Sequence, residues 1–232
     1  MSEHRGEREE LLALYQPLRV ADVRDGMDWN MLHNQGSLSV DIRPLFRTRV
    51  CGIARTARYL PFAGSMPKMT PEEYSTWSDW YYQKVCIYPW IEAIQPGDFV
   101  VIDQSGVDVG LMGSNNALAG FKNGATGYVT NGGMRDTDEL ILEKIPFWSR
   151  FISQGMVQGR LQYDSHDNPV AVGGVTVYPG DVVVADGDGV IVVPRKAAFD
   201  VAKYAHRELT NDKVSRRKLY EDLGLPVDDS VS

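Results

Sequence analysis

Residues 98–136 spell strand, glycine-rich loop, helix and strand, and few folds accept that order. Phe99-Val100-Val101-Ile102-Asp103 is a near-continuous apolar run, the pattern of a strand buried on both faces. Residues 106–114 are glycine-rich. Residues 115–123 read as a helix with Ala117, Leu118 and Phe121 on one face and Gly124 as its stop. Residues 127–130 form the next strand, which makes the whole a βαβ unit. Strand C-termini in such a unit share one edge, and ligands bind in the crevice outside it.

Two features should meet at that edge. The first is Gly110-Leu111-Met112-Gly113-Ser114-Asn115-Asn116. A glycine loop that opens a helix offers unpaired N–H groups and the positive end of a helix dipole, which favour a carboxylate or phosphate. The loop lacks the Gly-Lys-Ser/Thr of a P-loop and the spacing of a dinucleotide fingerprint. The second is Gly132-Gly133-Met134-Arg135-Asp136. Its glycines allow unusual backbone angles or a close approach. The Arg135 fork suits a carboxylate. Asp136 suits Mg²⁺ or Mn²⁺, which take oxygen ligands. Alone, an adjacent Arg and Asp reads as a surface ion pair of little worth. Their place on the same edge as an anion-binding loop favours a site.

The rest of the chain supplies the frame. An amphipathic helix up to Tyr15 ends before Pro17, and a second short helix spans residues 20–30 with Asp22 as its N-cap. Residues 42–58 read as strand and residues 60–71 as a proline- and glycine-punctuated loop. Thr70-Pro71-Glu72-Glu73 is a helix start, with Thr70 as cap and Glu73 closing the box. That helix is expected to run to about Ile94, carrying Tyr74, Trp77, Trp80, Tyr81, Tyr82, Tyr88 and Trp90 as core or interface. Residues 158–176 read as strand, turn, strand. Further strands flank the second Pro-Gly-Asp turn, at residues 179–181, and Asp186-Gly187-Asp188-Gly189 reads as a β-turn. A helix over residues 197–219 precedes a short, acidic tail, mobile at its end.

Composition narrows the functional classes. The net charge of −7 argues against nonspecific nucleic-acid or anionic-membrane binding. The two cysteines, Cys51 and Cys86, sit in apolar surroundings with no CxxC or Cys/His cluster, and read as buried free thiols rather than zinc ligands. The four histidines (His4, His33, His166 and His206) fall in loops, turns or charged segments and define no Ser/His/Asp order. The charged N-terminus has no apolar signal region, and no apolar run approaches a membrane span. These features suit the cytoplasm.

Gly113-Ser114, twenty intervening residues, then Arg135-Asp136, followed by residues 173–190 from Gly173-Gly174-Val175 to Asp188-Gly189-Val190, resembles the RraA-like family. That family includes the regulator of ribonuclease E activity and the class II 4-hydroxy-4-methyl-2-oxoglutarate aldolases. The resemblance is strong over about residues 95–200. It extends loosely to Val20-Ala21-Asp22-Val23-Arg24-Asp25-Gly26-Met27-Asp28. It implies an α/β swivelling β/β/α fold over residues 1–232, with helices over 1–35, an aromatic-rich insertion over 60–94 and a C-terminal helix and tail over 197–232. It implies a homotrimer or dimer of trimers with sites at subunit interfaces. It implies Mg²⁺ or Mn²⁺ on Asp136, a keto acid against Arg135, and amides of Leu111, Met112, Gly113 and Ser114 on the pyruvyl carboxylate. Where the aldolases carry an acid at the start of the spacer, this chain has Ser114, which brings a hydroxyl and no charge.

The leading expectation is therefore a metal-dependent carbon–carbon lyase (aldolase or decarboxylase) acting on a small 2-oxo acid. Two alternatives stand beside it. Ser114 favours a non-catalytic regulator resembling the ribonuclease inhibitor. The aromatic segment favours a dehydratase or isomerase of a hydroxy or oxo acid, with those rings as a lid or wall.

Overall fold

A computed structural model describes residues 2–232, with side chains from Gly6 onward. Helices α1 (Ser2–Tyr15) and α2 (Val20–Trp29) come first, then strands β1 (Arg43–Pro44) and β2 (Val50–Pro61). Helices α3 (Pro71–Lys84) and α4 (Trp90–Ala93) lead to strands β3 (Asp98–Asp103) and β4 (Gly110–Met112). Helix α5 (Ser114–Lys122), strand β5 (Ala125–Met134), helix α6 (Thr137–Leu142) and strand β6 (Phe147–Ile152) follow. Five short strands come next: β7 (Leu161–His166), β8 (Val170–Val172), β9 (Val175–Val177), β10 (Val182–Ala185) and β11 (Val190–Val193). Helix α7 (Ala198–Leu223) closes the chain. No described helix is long and apolar enough to cross a membrane.

The architecture is α/β. A mixed sheet has the order β1-β6-β5-β3-β2-β10-β11, with β4 added to β5 and β7 to β2, while β8 and β9 form a separate pair. Strands β2, β3, β5 and β6 are mutually parallel neighbours. Their crossovers through α3–α4, α5 and α6 all bury apolar side chains in one cluster, including Tyr81, Trp90, Ala117 and Leu140. On β3, Val100 and Ile102 face that cluster. Phe99 and Val101 face the opposite one, with Val129, Trp148 and Val172. This two-sided burial is why the run 99–103 carries no polar alternation. A third cluster packs Leu11, Tyr15, Met27 and Val201, from α1, α2 and α7, on Val182 and Ile191.

Both Pro-Gly-Asp turns serve as anchors. Asp98 is buried and accepts from Arg8 Nη2 (2.7 Å), Arg55 Nε (2.6 Å) and the Gln95 amide (2.8 Å). Asp181 accepts from the Tyr178 and Arg195 amides, each at 2.9 Å. The Asp186–Gly189 segment is the turn between β10 and β11, where the Asp186 amide donates to the Gly189 carbonyl at 3.0 Å.

Several local expectations change. Asp22 is not the N-cap of α2. It lies at the third helical position, where its carboxylate reaches back to the Arg19 amide at 2.8 Å while Arg19 itself takes the cap. The aromatic helix stops at Lys84, because Pro89 disfavours helical geometry in the residue before it and lacks an N–H. Residues 161–172 are strand, turn and strand as expected, yet the two strands pair elsewhere, β7 with β2 and β8 with β9. The tail folds back on α7. There Lys213 Nζ donates to the Ser232 carbonyl at 2.6 Å and Val231 is buried, after a left-handed Gly224 reverses the chain. Cys86 is buried and Cys51 half-buried, and both are free thiols. His166 Nδ1 lies 2.5 Å from the Tyr163 hydroxyl, and His206 Nε2 lies 2.8 Å from the Leu14 carbonyl. The His4 side chain and Met1 lie outside the described residues.

Candidate active site at the C-terminal sheet edge

The glycine loop is partly strand. Residues 110–112 form β4, which pairs in parallel with the end of β5, Gly110 opposite Gly133 and Met112 opposite Met134. Leu111 and Met112 are buried. The Leu111 amide donates to the Val109 carbonyl (2.9 Å), and the Met112 carbonyl accepts from the Arg135 amide (3.0 Å). Gly113, the N-cap of α5, is buried, and the chain first meets solvent at Ser114, the half-exposed first residue of the helix. The first amides of a helix have no intrahelical partner. The Ser114 amide finds one in Asp136 Oδ2, at 3.2 Å.

Strand β5 runs through the glycine pair to Met134, so Arg135 and Asp136 leave its C-terminal end. Neither Gly132 nor Gly133 has a positive φ. Their role is close packing: a Cβ would meet the Gln104 side chain at 2.4 Å from Gly132, and Ser153 Oγ at 2.1 Å from Gly133. The unusual backbone belongs to Asp136, left-handed at φ 55° and ψ 46°. A residue so held marks a position that its surroundings over-determine. Two further glycines make room for the pair. A Cβ on Gly110 would lie 2.8 Å from Arg135 Cδ, and one on Gly113 would lie 2.2 Å from Asp136 Oδ2. Arg135 Nε stands 3.6 Å from Asp136 Oδ1, with the two side chains 33% and 39% exposed. At that exposure the ion pair itself adds little stability.

A second acid arrives that the sequence did not announce. Glu143, just past the end of α6, accepts from the Ser114 hydroxyl through Oε1 at 3.0 Å. Its Oε2 is shut off from solvent and has no partner. No local pattern in the sequence signals it, because left-handed Asp136 lies just before the six-residue α6 and Glu143 just past it.

Among the described residues no group of three or more His, Cys, Asp or Glu is placed to hold a metal. The residues present nonetheless fit a hard divalent cation. Mg²⁺ and Mn²⁺ are commonly held by one or two carboxylates with water and substrate oxygens completing the shell. An orphaned buried carboxylate oxygen on Glu143, linked through Ser114 to a half-exposed Asp136, offers that chemistry.

The aromatic segment stands behind this edge. Tyr88 donates its hydroxyl to the Leu111 carbonyl at 2.9 Å, Trp90 Nε1 donates to the Tyr59 hydroxyl at 2.8 Å, and Tyr81 is fully buried. Trp80 and Tyr82 remain exposed on the outer face of α3. A cleft of about 600 Å³ opens elsewhere, lined by Gly36, Thr176, Tyr178, Asp181 and Arg195 among others. None of its lining residues belongs to the Arg135–Asp136 constellation, and geometry at the strand ends outweighs volume in locating the chemistry.

The family model of RraA-like proteins, described as Aldolase/RraA, matches residues 20–192. The chain belongs to the RraA-like family. A Halalkalibacterium halodurans protein provisionally named 4-hydroxy-4-methyl-2-oxoglutarate aldolase is 27% identical over 129 residues, 55% of this chain and 61% of that one. A Deinococcus radiodurans protein with the same provisional name is 36% identical over 99 residues, 42% of this chain and 61% of that one. The match thus spans about three-fifths of the length of these relatives. Among solved structures, Streptomyces coelicolor RraAS2, described as an unusual member of the RNase ES inhibitor RraA family, superposes with a TM-score of 0.71 at 26% identity. That superposition covers 89% of this RraA-like chain and 96% of RraAS2.

Proposed function

We propose that this RraA-like chain is a divalent-metal-dependent carbon–carbon lyase, of aldolase or decarboxylase type, acting on small 2-oxo acids. The observation that carries the reading is the meeting of Arg135 and Asp136 with the N-terminus of α5 on one strand edge, where Asp136 Oδ2 lies 3.2 Å from the Ser114 amide. The provisional aldolase names of the relatives support it.

Each residue has a role. The Arg135 guanidinium binds the substrate carboxylate through paired N–H donors. Asp136 would hold the cation, which when bound would supply Lewis-acid chemistry. The positive end of α5 and Arg135 together favour the negative charge that grows on the substrate as the carbon–carbon bond breaks. Tyr88 keeps the loop at its height by bonding the Leu111 carbonyl. The purified chain with Mg²⁺ or Mn²⁺ is expected to release pyruvate from 4-hydroxy-2-oxo acids or from oxaloacetate, read by a coupled dehydrogenase assay. Arg135→Ala and Asp136→Asn are expected to abolish it. No turnover across the panel, with metal binding unchanged by Asp136→Asn, would sink the reading.

A second reading is a non-catalytic binding protein for a ribonuclease complex, supported by the likeness to RraAS2. Co-purification with a ribonuclease, without keto-acid turnover, would favour it.

A further inference from the structure

We propose that Glu143 is the second carboxylate of the cation site, brought to the mouth of the glycine loop by the length of α6. The proposal rests on the reading that a divalent cation binds at Asp136. Ser114 sits between two acids, its amide on Asp136 Oδ2 at 3.2 Å and its hydroxyl on Glu143 Oε1 at 3.0 Å. One serine thus fixes both carboxylates at the same helix end.

The unexplained atom is Glu143 Oε2. It is buried and bonded to nothing. Burying a carboxylate oxygen without a partner is unfavourable, and native structures leave few such groups. No described Lys or Arg forms an ion pair with Glu143; the nearest recorded pair is Arg135 with Asp136. The location makes this worse. Glu143 caps the C-terminal end of α6, where the helix dipole disfavours negative charge. A simple brace for Ser114 needs one oxygen, and would leave the other in water. An acid placed against its local electrostatics, with one oxygen held and the other withheld from solvent, has the character of a ligand.

Charge balance points to the same occupant. Asp136 and Glu143 against Arg135 leave one net negative charge. A divalent cation turns that into one net positive charge, which a substrate carboxylate closes. Hard cations of this kind take oxygen donors and tolerate a shell only partly supplied by protein. Ser114 then has a definite task, orienting two carboxylates without adding a charge of its own.

The test measures Mn²⁺ binding to the metal-stripped full chain by calorimetry and by electron paramagnetic resonance of free Mn²⁺. Wild type is expected to bind, and Asp136→Asn to lose binding. Glu143→Gln is expected to weaken binding roughly 10-fold or more, since loss of a ligand should cost at least as much as loss of an outer-shell partner. Its metal-free unfolding temperature is expected to hold or rise, since an orphaned charge has been removed. Ser114→Ala, which removes the hydroxyl that holds Glu143 and keeps the amide on Asp136, is expected to weaken Mn²⁺ by less. It also serves should Glu143→Gln fail to fold, because Mn²⁺ affinity unchanged in Ser114→Ala would then overturn the proposal. Wild-type affinity in Glu143→Gln, with binding lost in Asp136→Asn, overturns the role of Glu143 and leaves the lyase reading standing. No Mn²⁺ binding by wild type overturns both.

Discussion

A methyl group on Gly113 would stand 2.2 Å from Asp136 Oδ2, closer than any packed contact allows. Gly113 has an ordinary φ of −123°, so alanine there costs no backbone strain. The conflict is with the carboxylate alone. Gly113→Ala is therefore expected to displace Asp136, abolishing Mn²⁺ binding and turnover, while the circular dichroism spectrum stays that of wild type. A normal Mn²⁺ titration in this variant would show that Asp136 does not hold the cation. A second prediction concerns Cys86. Burial pushes its thiol up from the ordinary 9.0 to about 12. A group with a raised folded-state pKa leaves stability intact below the unfolded value and erodes it as pH rises through the folded one. Stability is therefore expected to fall between pH 9 and 12, and Cys86→Ser to flatten that fall in urea titrations. At this scale Arg135 and Asp136 were legible, because adjacent residues at a strand end need no tertiary information. Glu143 was not. Its meeting with Ser114 depends on how far α6 carries the chain, and no local pattern encodes that.

Helix α3 shows the same division at the scale of an element. Its start was legible: Thr70 and Glu73 form a closed capping box, with Pro71 in the first turn. Its end was not, because Pro89 interrupts an aromatic pattern that reads as continuous. The consequence is functional. By breaking the helix, the chain turns Tyr88 toward β4, where its hydroxyl holds the Leu111 carbonyl at 2.9 Å. Tyr88→Phe deletes that bond and is expected to cost about 1 kcal/mol, the usual net worth of a neutral hydrogen bond. The urea midpoint should fall by the corresponding amount, and KM for the keto acid should rise more than kcat falls, because the loop that seats the substrate is loosened. Equal effects on both constants would assign Tyr88 to general stability. Strand β4 was hidden for a different reason. Three residues pairing only with the end of β5 give too short a run for any periodicity, and the glycines around them read as loop.

For the whole molecule, the sheet order was legible where crossover helices alternate with strands, and obscure where short strands such as β7 and β8 choose partners far along the chain. One surface resists explanation within a single chain. Helix α5 was expected to carry Ala117, Leu118 and Phe121 on one face. Only Ala117 is buried, while Leu118 and Phe121 are 40% and 44% exposed. On the adjacent α6, Ile141 and Leu142 are 45% and 82% exposed. Apolar side chains gathered on neighbouring helices mark a binding surface, and these two helices begin at Ser114 and just after Asp136. Water reaches the site freely in one chain, where Asp136 is 39% exposed. A second copy docked on α5 and α6 would exclude it and strengthen every charge interaction within. We therefore expect a homotrimer or dimer of trimers in solution, with the double variant Leu118→Glu, Leu142→Glu reduced to a single chain by light scattering. Turnover should fall with assembly while Mn²⁺ binding to the isolated chain persists, since Asp136 and Glu143 both come from one copy. A wild-type chain that is monomeric and fully active would remove the need for a partner and return these side chains to ordinary surface.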